Sequence, residues 1–181
     1  WYLLGDPGRR GIFLLVCDLG ALYRRHPCLW QSDPDPGGFR WIACWDKECS
    51  VMSYERRTTG GRDAESDRAD SDGEESLLVV LNLTPVPRAG YRIGAPVAGV
   101  YRQALCSDDR RYGGSGFAVA EEVETERVEA DDCRQSLVLD LPPLAALVLA
   151  PEGRRRGRKS PSVPKTIDTD GAHRPQSEPD N

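Results

Sequence analysis

The stretch Leu77-Leu78-Val79-Val80-Leu81-Asn82-Leu83 is apolar at six of its seven positions and is stopped by Thr84-Pro85-Val86-Pro87. A run this short and nearly all apolar, stopped by prolines, reads as a central β-strand covered on both faces or nearly so. The segments on either side repeat the theme. Ser136 to Leu141 alternates, with Leu137, Leu139 and Leu141 on one face; Pro142-Pro143 turns the chain, and Leu144 to Ala150 closes it. Val51 to Arg56 and Gly99 to Leu105 read as further strands. Phe39, Trp41, Ala43 and Trp45 alternate with Arg40, Ile42 and Cys44, after the turn cluster Asp33-Pro34-Asp35-Pro36-Gly37-Gly38. Short strands separated by Gly and Pro turns predict an all-β, antiparallel β-sandwich.

One helix precedes these strands. Asp6 is a helix N-cap, with Pro7 at the first helical position. Ile12, Leu15, Val16, Leu19, Leu22 and Tyr23 then recur at helical spacing until His26-Pro27 ends the run. The result is one apolar stripe with no evident partner downstream, because no second helix of similar quality follows.

The net charge of −5 is local. Gly60 to Ser76 holds seven acids and two arginines, and this segment alone accounts for the excess. Glu152 to Asn181 opens with a basic run, Arg154 to Lys159, and continues with Pro, Ser and charge. Neither segment has enough apolar surface to offset chain entropy, so both are expected to be disordered. The basic run lacks the interleaved aromatics that stack nucleic-acid bases, which argues against a nucleic-acid partner. No apolar stretch approaches the roughly 18–20 residues of a membrane span. Collagen, coiled-coil and membrane-protein classes are excluded by composition and pattern. Residue 1 is Trp with no leader before it, so the chain is expected to be a fragment or processed product.

No catalytic constellation emerges. His26 abuts a helix end and His173 lies in the tail, so no His-centred triad forms. The acids of Glu121–Asp132 read as a solvated face. The six cysteines (17, 28, 44, 49, 106 and 133) contain no CxxC pair, and two histidines do not complete a four-ligand zinc set. They read as buried free thiols in a reducing cytosol. Tyr112-Gly113-Gly114-Ser115-Gly116 reads as a tight turn needing positive φ, not a phosphate cradle, since no P-loop lysine follows. Trp41 and Trp45 share strand spacing and could stack sugars; core packing is the expectation. No residue is therefore assigned as catalytic, cofactor-binding or metal-ligating, and no cofactor is expected.

Six motifs follow one another in a specific order. They are Trp1-x-Leu3-Leu4, then Val16-x-Asp18-Leu19-x-x-Leu22-Tyr23-Arg24 with His26-Pro27, and Asp33-x-Asp35-Pro36-x-Gly38-Phe39-x-Trp41-Ile42. Leu81-Asn82-x-Thr84-Pro85-Val86-Pro87-Arg88, Tyr112–Gly116 and Leu141-Pro142-Pro143-Leu144-Ala145 complete the set. Over roughly residues 1–151 this resembles the C-terminal part of the bacterial 1,4-α-glucan (glycogen) branching enzymes, members of the α-amylase superfamily. The resemblance implies that residues 1–29 are the last helix of a catalytic (β/α)₈ barrel and residues 30–151 the following all-β sandwich. Against relatives the acidic stretch at about 58–76 reads as an insertion, and the tail from 152 to 181, expected to be disordered, has no counterpart in the family. The family transfers α-1,4-glucan segments to sugar 6-hydroxyls. Its nucleophile and general acid lie in the barrel, as the fold dictates, so none is carried onto this chain. The implied partners are that barrel in the same parent chain and α-glucan, in a cytoplasmic, monomeric enzyme. The alternatives are a non-catalytic carbohydrate-binding sandwich or the corresponding domain of another α-amylase-type enzyme. The sequence departs from the family pattern at Gly20, which follows Asp18-Leu19, and at Cys106, which precedes Ser107-Asp108.

Overall fold

A computed structural model describes residues 5–59 and 75–152. The acidic segment between these spans and the C-terminal tail lie outside the described residues, as does the expectation that both are disordered.

Helix α1 spans Pro7–Arg25. The Asp6 side chain accepts the Arg9 N–H at 3.0 Å, and the His26 N–H donates to Leu22 O at 3.0 Å, so both ends follow from the residues that flank them. A 3₁₀ turn over Pro27–Leu29 leads away, and a second over Pro36–Gly38 leads into the strands. The strands are β1 (Phe39–Asp46), β2 (Val51–Arg57), β3 (Ser76–Asn82), β4 (Arg88–Gly94), β5 (Val100–Cys106), β6 (Glu122–Glu124), β7 (Ser136–Leu141) and β8 (Ala145–Pro151). A third 3₁₀ turn covers Arg110–Tyr112. All pairings are antiparallel. One sheet has the order β1-β2-β3-β8-β5-β6, and β4 pairs with β7 in a second, two-stranded sheet. The architecture is the predicted β-sandwich with one helix.

β3 lies inside the large sheet, and its two faces serve two cores. Leu78 and Val80 join Ile42, Val51, Leu147 and Leu149 against Ile93, Leu137, Leu139 and Leu141 of the small sheet. This inter-sheet core is closed; Leu137, Leu139 and Leu141 are all buried, as their alternation requires. Leu77 and Val79 point the other way. With Leu105, Val148 and Cys28 they form a second core, on which Leu15, Leu22 and Leu29 pack. Helix α1 therefore covers the outer face of the large sheet.

β4 escapes the sequence pattern because Gly90 takes φ +61° and the pairing with β7 shifts between Arg88 and Tyr91, which breaks the period-two signal. The three residues of β6 are too few to carry one. The expectation that Trp41 and Trp45 pack in a core is overturned. They are 49 % and 83 % exposed, because the inward position on β1 is Ile42 and the sheet edge leaves the other side open. The buried-thiol reading fails at Cys17, which is exposed on α1, and at Cys44 and Cys49, which are only half-buried; Cys28, Cys106 and Cys133 are buried, and all six are free.

Candidate functional site: the junction of helix and sandwich

The sequence singles out Asp18 on the helix and the Tyr112–Gly116 loop separately. The fold brings them together. The Tyr112 hydroxyl donates to Asp18 Oδ2 at 2.7 Å, and Arg111 Nη2 lies 3.2 Å from the same carboxylate oxygen. The Arg111 guanidinium also donates to the Tyr112 hydroxyl and sits 4.5 Å from the centre of its ring. Burial, then the hydrogen bond to Asp18, pushes the Tyr112 phenol up to about 12, so it stays a donor across the physiological range. Gly11 makes the close approach possible. A Cβ there would stand 2.3 Å from the Tyr112 carbonyl oxygen, so the helix could not reach this turn with any larger residue.

The glycine loop owes its shape to Asp108. This buried carboxylate accepts the N–H of Ser115 at 2.8 Å, the Ser115 hydroxyl at 2.5 Å and the N–H of Phe117 at 3.1 Å. Burial pushes the Asp108 carboxyl upward, but these hydrogen bonds outweigh it and hold the group below the ordinary carboxylate range. Gly113 and Gly116 adopt φ +87° and +69°, and a Cβ on Gly114 would meet the Asp108 carbonyl oxygen at 2.2 Å. The tight-turn reading is correct, and for a physical reason beyond backbone freedom: the loop's amides already serve an anion of the protein itself. A cavity of about 290 Å³ beside the loop is lined by Gln103, Asp109, Arg110 and Phe117 among others. No two carboxylates face one another across it.

The other end of α1 is tied down as well. His26 Nδ1 lies 2.5 Å from Glu75 Oε1, just before β3. Arg56 donates to the carbonyls of Cys28 and Leu29 and pairs with Asp33. Two motifs in the strands meet in the same manner. Buried Asn82 donates to Val86 O and to Pro142 O, both at 2.9 Å, and accepts from Thr84. The prolines that punctuate the sequence at 85–87 and 142–143 are thus held by one amide.

With these anchors in place, the apolar stripe of α1 divides. Leu15 and Leu22 face the sheet. Ile12 and Val16 are 63 % and 61 % exposed, and Phe13, Leu19 and Tyr23 are exposed beside them. Only part of the stripe finds its partner within the sandwich. Among the described residues there is no group of three or more His, Cys, Asp or Glu side chains able to hold a metal, and no helix long and apolar enough to cross a membrane. What the junction can do chemically is bind and orient. It fixes one helix on a sandwich and presents an apolar face outward.

A two-layer antiparallel sandwich that carries a helix on its outer face defines an all-β domain. Residues 41–152 match the alpha amylase, C-terminal all-beta domain family, and the chain belongs to that family. Among characterised proteins it is 46 % identical over 153 residues to the 1,4-alpha-glucan branching enzyme GlgB of Burkholderia thailandensis. That alignment covers 84 % of this chain and 17 % of the relative. It is 43 % identical to the enzyme of the same name from Pseudomonas syringae pv. syringae, covering 84 % of this chain and 19 % of the relative. The corresponding values for Rubrobacter xylanophilus are 45 %, 83 % and 19 %. The chain spans less than a fifth of the length of these relatives.

Proposed function

We propose that this chain is the C-terminal part of a 1,4-α-glucan branching enzyme and acts there as a structural domain. The observation that carries the reading is the 43–46 % identity to enzymes of that name along nearly all of the described chain. In this reading residues 1–29 are the last helix of the catalytic (β/α)₈ barrel, and residues 30–151 are the sandwich that follows it. The exposed residues Ile12, Val16 and Leu19 would be covered by the rest of that barrel in the same parent chain. The nucleophile and general acid would be supplied there, at the strand ends where this barrel architecture places its chemistry. The parent enzyme would work on α-glucan in the cytoplasm as a monomer.

The half-covered helix favours this reading over a free-standing carbohydrate-binding sandwich. Fully burying a side chain such as Val or Leu is worth about 1.5–3 kcal/mol, and an independent module has no reason to leave a run of them open on one helix. The test is to read the genomic sequence upstream of the Trp1 codon, express the longest open frame and assay it on amylose for new α-1,6 linkages. Branch formation by the long protein and none by the 181-residue chain is expected. A start codon or secretion signal just upstream, or a long protein that forms no branches, would defeat the proposal.

A further inference from the structure

Gln103 carries an amide that the fold leaves unsatisfied. Its backbone is in order: it sits on β5, and its N–H donates to Glu121 O at 2.8 Å. Its side chain makes no hydrogen bond among the described residues, although Oε1 is buried. A buried carbonyl without a donor is costly, and most such groups in proteins are paired. This one lines the cavity of about 290 Å³ beside the glycine loop.

The cavity has fixed walls. Cys106 and Val119 pack with the inter-sheet core, so it belongs to the sandwich and not to the open face of α1. The strip from Phe117 to Glu121 is pinned at both ends, where Asp108 Oδ2 accepts the Phe117 N–H at 3.1 Å and Glu121 O accepts from Gln103. Walls held in this way lose little freedom on binding. Exposed Arg110 forms part of the rim. Its stem lies on Gly116, where a Cβ would stand 2.4 Å from Arg110 Cγ, and no acid pairs with its guanidinium among the described residues. Asp109 also lines the cavity, but its carboxylate is turned to Arg111, whose N–H it accepts at 2.8 Å.

Two unmet groups therefore lie on one small cavity. The Gln103 amide offers a carbonyl and an NH₂ side by side, and calls for a donor next to an acceptor. The Arg110 guanidinium calls for an anion. Phe117 and Val119 supply apolar surface in the same lining. The amino group and neighbouring ring nitrogen of adenine meet a glutamine amide in that bidentate manner. A flat base stacks on an aromatic ring, and a phosphate matches the guanidinium fork. The volume stands at the small end of the roughly 300–1,000 Å³ range of ligand pockets, which suits a mononucleotide and not a dinucleotide. A neutral sugar would answer Gln103 and leave Arg110 unused.

We propose that this cavity is a binding site for an adenine mononucleotide, with Gln103 reading the base and Arg110 holding the phosphate. The site is built by the sandwich itself, and the proposal goes beyond the branching-enzyme reading without depending on it.

The test is equilibrium dialysis of the 181-residue chain against labelled AMP, with adenosine, inosine monophosphate, inorganic phosphate and maltotriose as separate ligands and competitors. AMP should be retained at millimolar concentration. Inosine monophosphate carries an oxygen where AMP has its amino group, so it leaves Gln103 Oε1 unpaired and should bind about tenfold more weakly. Arg110→Ala should weaken AMP about tenfold and leave adenosine unchanged. Gln103→Leu should weaken AMP and adenosine by one common factor. Arg110 is exposed and unpaired, so its loss spares the fold, and circular dichroism checks that Gln103→Leu stays folded. The proposal is overturned if AMP is not retained, if inorganic phosphate or inosine monophosphate is retained as well as AMP, if maltotriose displaces AMP, or if Arg110→Ala binds AMP as the parent does.

Discussion

Leu77 and Leu78 are neighbours on β3, both buried, yet they belong to different cores. Leu78 faces the small sheet across a closed interior in which Leu137, Leu139, Leu141, Leu147 and Leu149 are all buried. Leu77 faces helix α1, whose own residues on that side are only partly buried and whose flank carries Ile12 and Val16 in the open. The inner face of the large sheet is finished by this chain, whereas the outer face is only begun. The difference teaches where stability and function separate. A closed core holds the sandwich together, and the half-covered face leaves apolar side chains of α1 in the open.

The comparison makes its largest prediction inside. Leu139→Ala should lower stability by about 2–5 kcal/mol, since a buried leucine is lost from a face that cannot collapse around the hole. A urea titration reads this as a lower midpoint at unchanged slope. A variant with the midpoint of the parent would mean that the inner core is no tighter than the outer one.

Asp108 comes next. Its folded pKa is depressed, so the stability it contributes is fully present above the unfolded value of about 3.9 and is lost as pH falls through the lower folded value. Asp108→Asn should cost about 1–3 kcal/mol at neutral pH, because the acceptor that organises three donors is changed. The same variant should flatten the acid limb of the stability curve below about pH 4. Thermal melts from pH 2.5 to 7 on both proteins check this, and parallel curves would remove Asp108 from the account.

At the outer face, Gly11→Ala is a test of sign. Alanine is the better helix former by about 1 kcal/mol, so an unpacked α1 would gain stability. Because the new methyl would press on the Tyr112 carbonyl, a net loss of about 1–2 kcal/mol is expected. Urea midpoints decide, and a stabilised variant would show that the helix does not hold this position in solution.

The smallest effect should be Val16→Ser. That side chain is open in the 181-residue chain, so its stability should move by no more than about 0.5 kcal/mol. Light scattering should fall at high concentration, because an exposed apolar patch drives association. A loss as large as that of Leu139→Ala would place Val16 in a core and erase the contrast between the two faces.

Local chemistry was legible wherever the chain dictates its own conformation. Asp6-Pro7 and His26 bound α1 because a capping oxygen and a missing N–H act within a few residues. The alternation of β7 identified its buried face because side chains on a strand alternate by geometry. The ordered motifs pointed to the family that residues 41–152 match. The weak alternation of β4 hid a strand, since a positive-φ glycine there serves a bulge that only a pairing partner makes visible.

The sequence by itself determined the class of the fold, the extent of the helix and the fact that Tyr112–Gly116 turns tightly. Only the tertiary structure decided which half of the α1 stripe is used, that Asp18 meets Tyr112 across 94 positions of chain, and that Trp41 and Trp45 face out. Periodicity reports that a side chain is apolar and on which side of its own element it lies. What stands opposite that side depends on strand order and on the sheet edge, and these come from pairings between residues far apart in the chain, which no local pattern records.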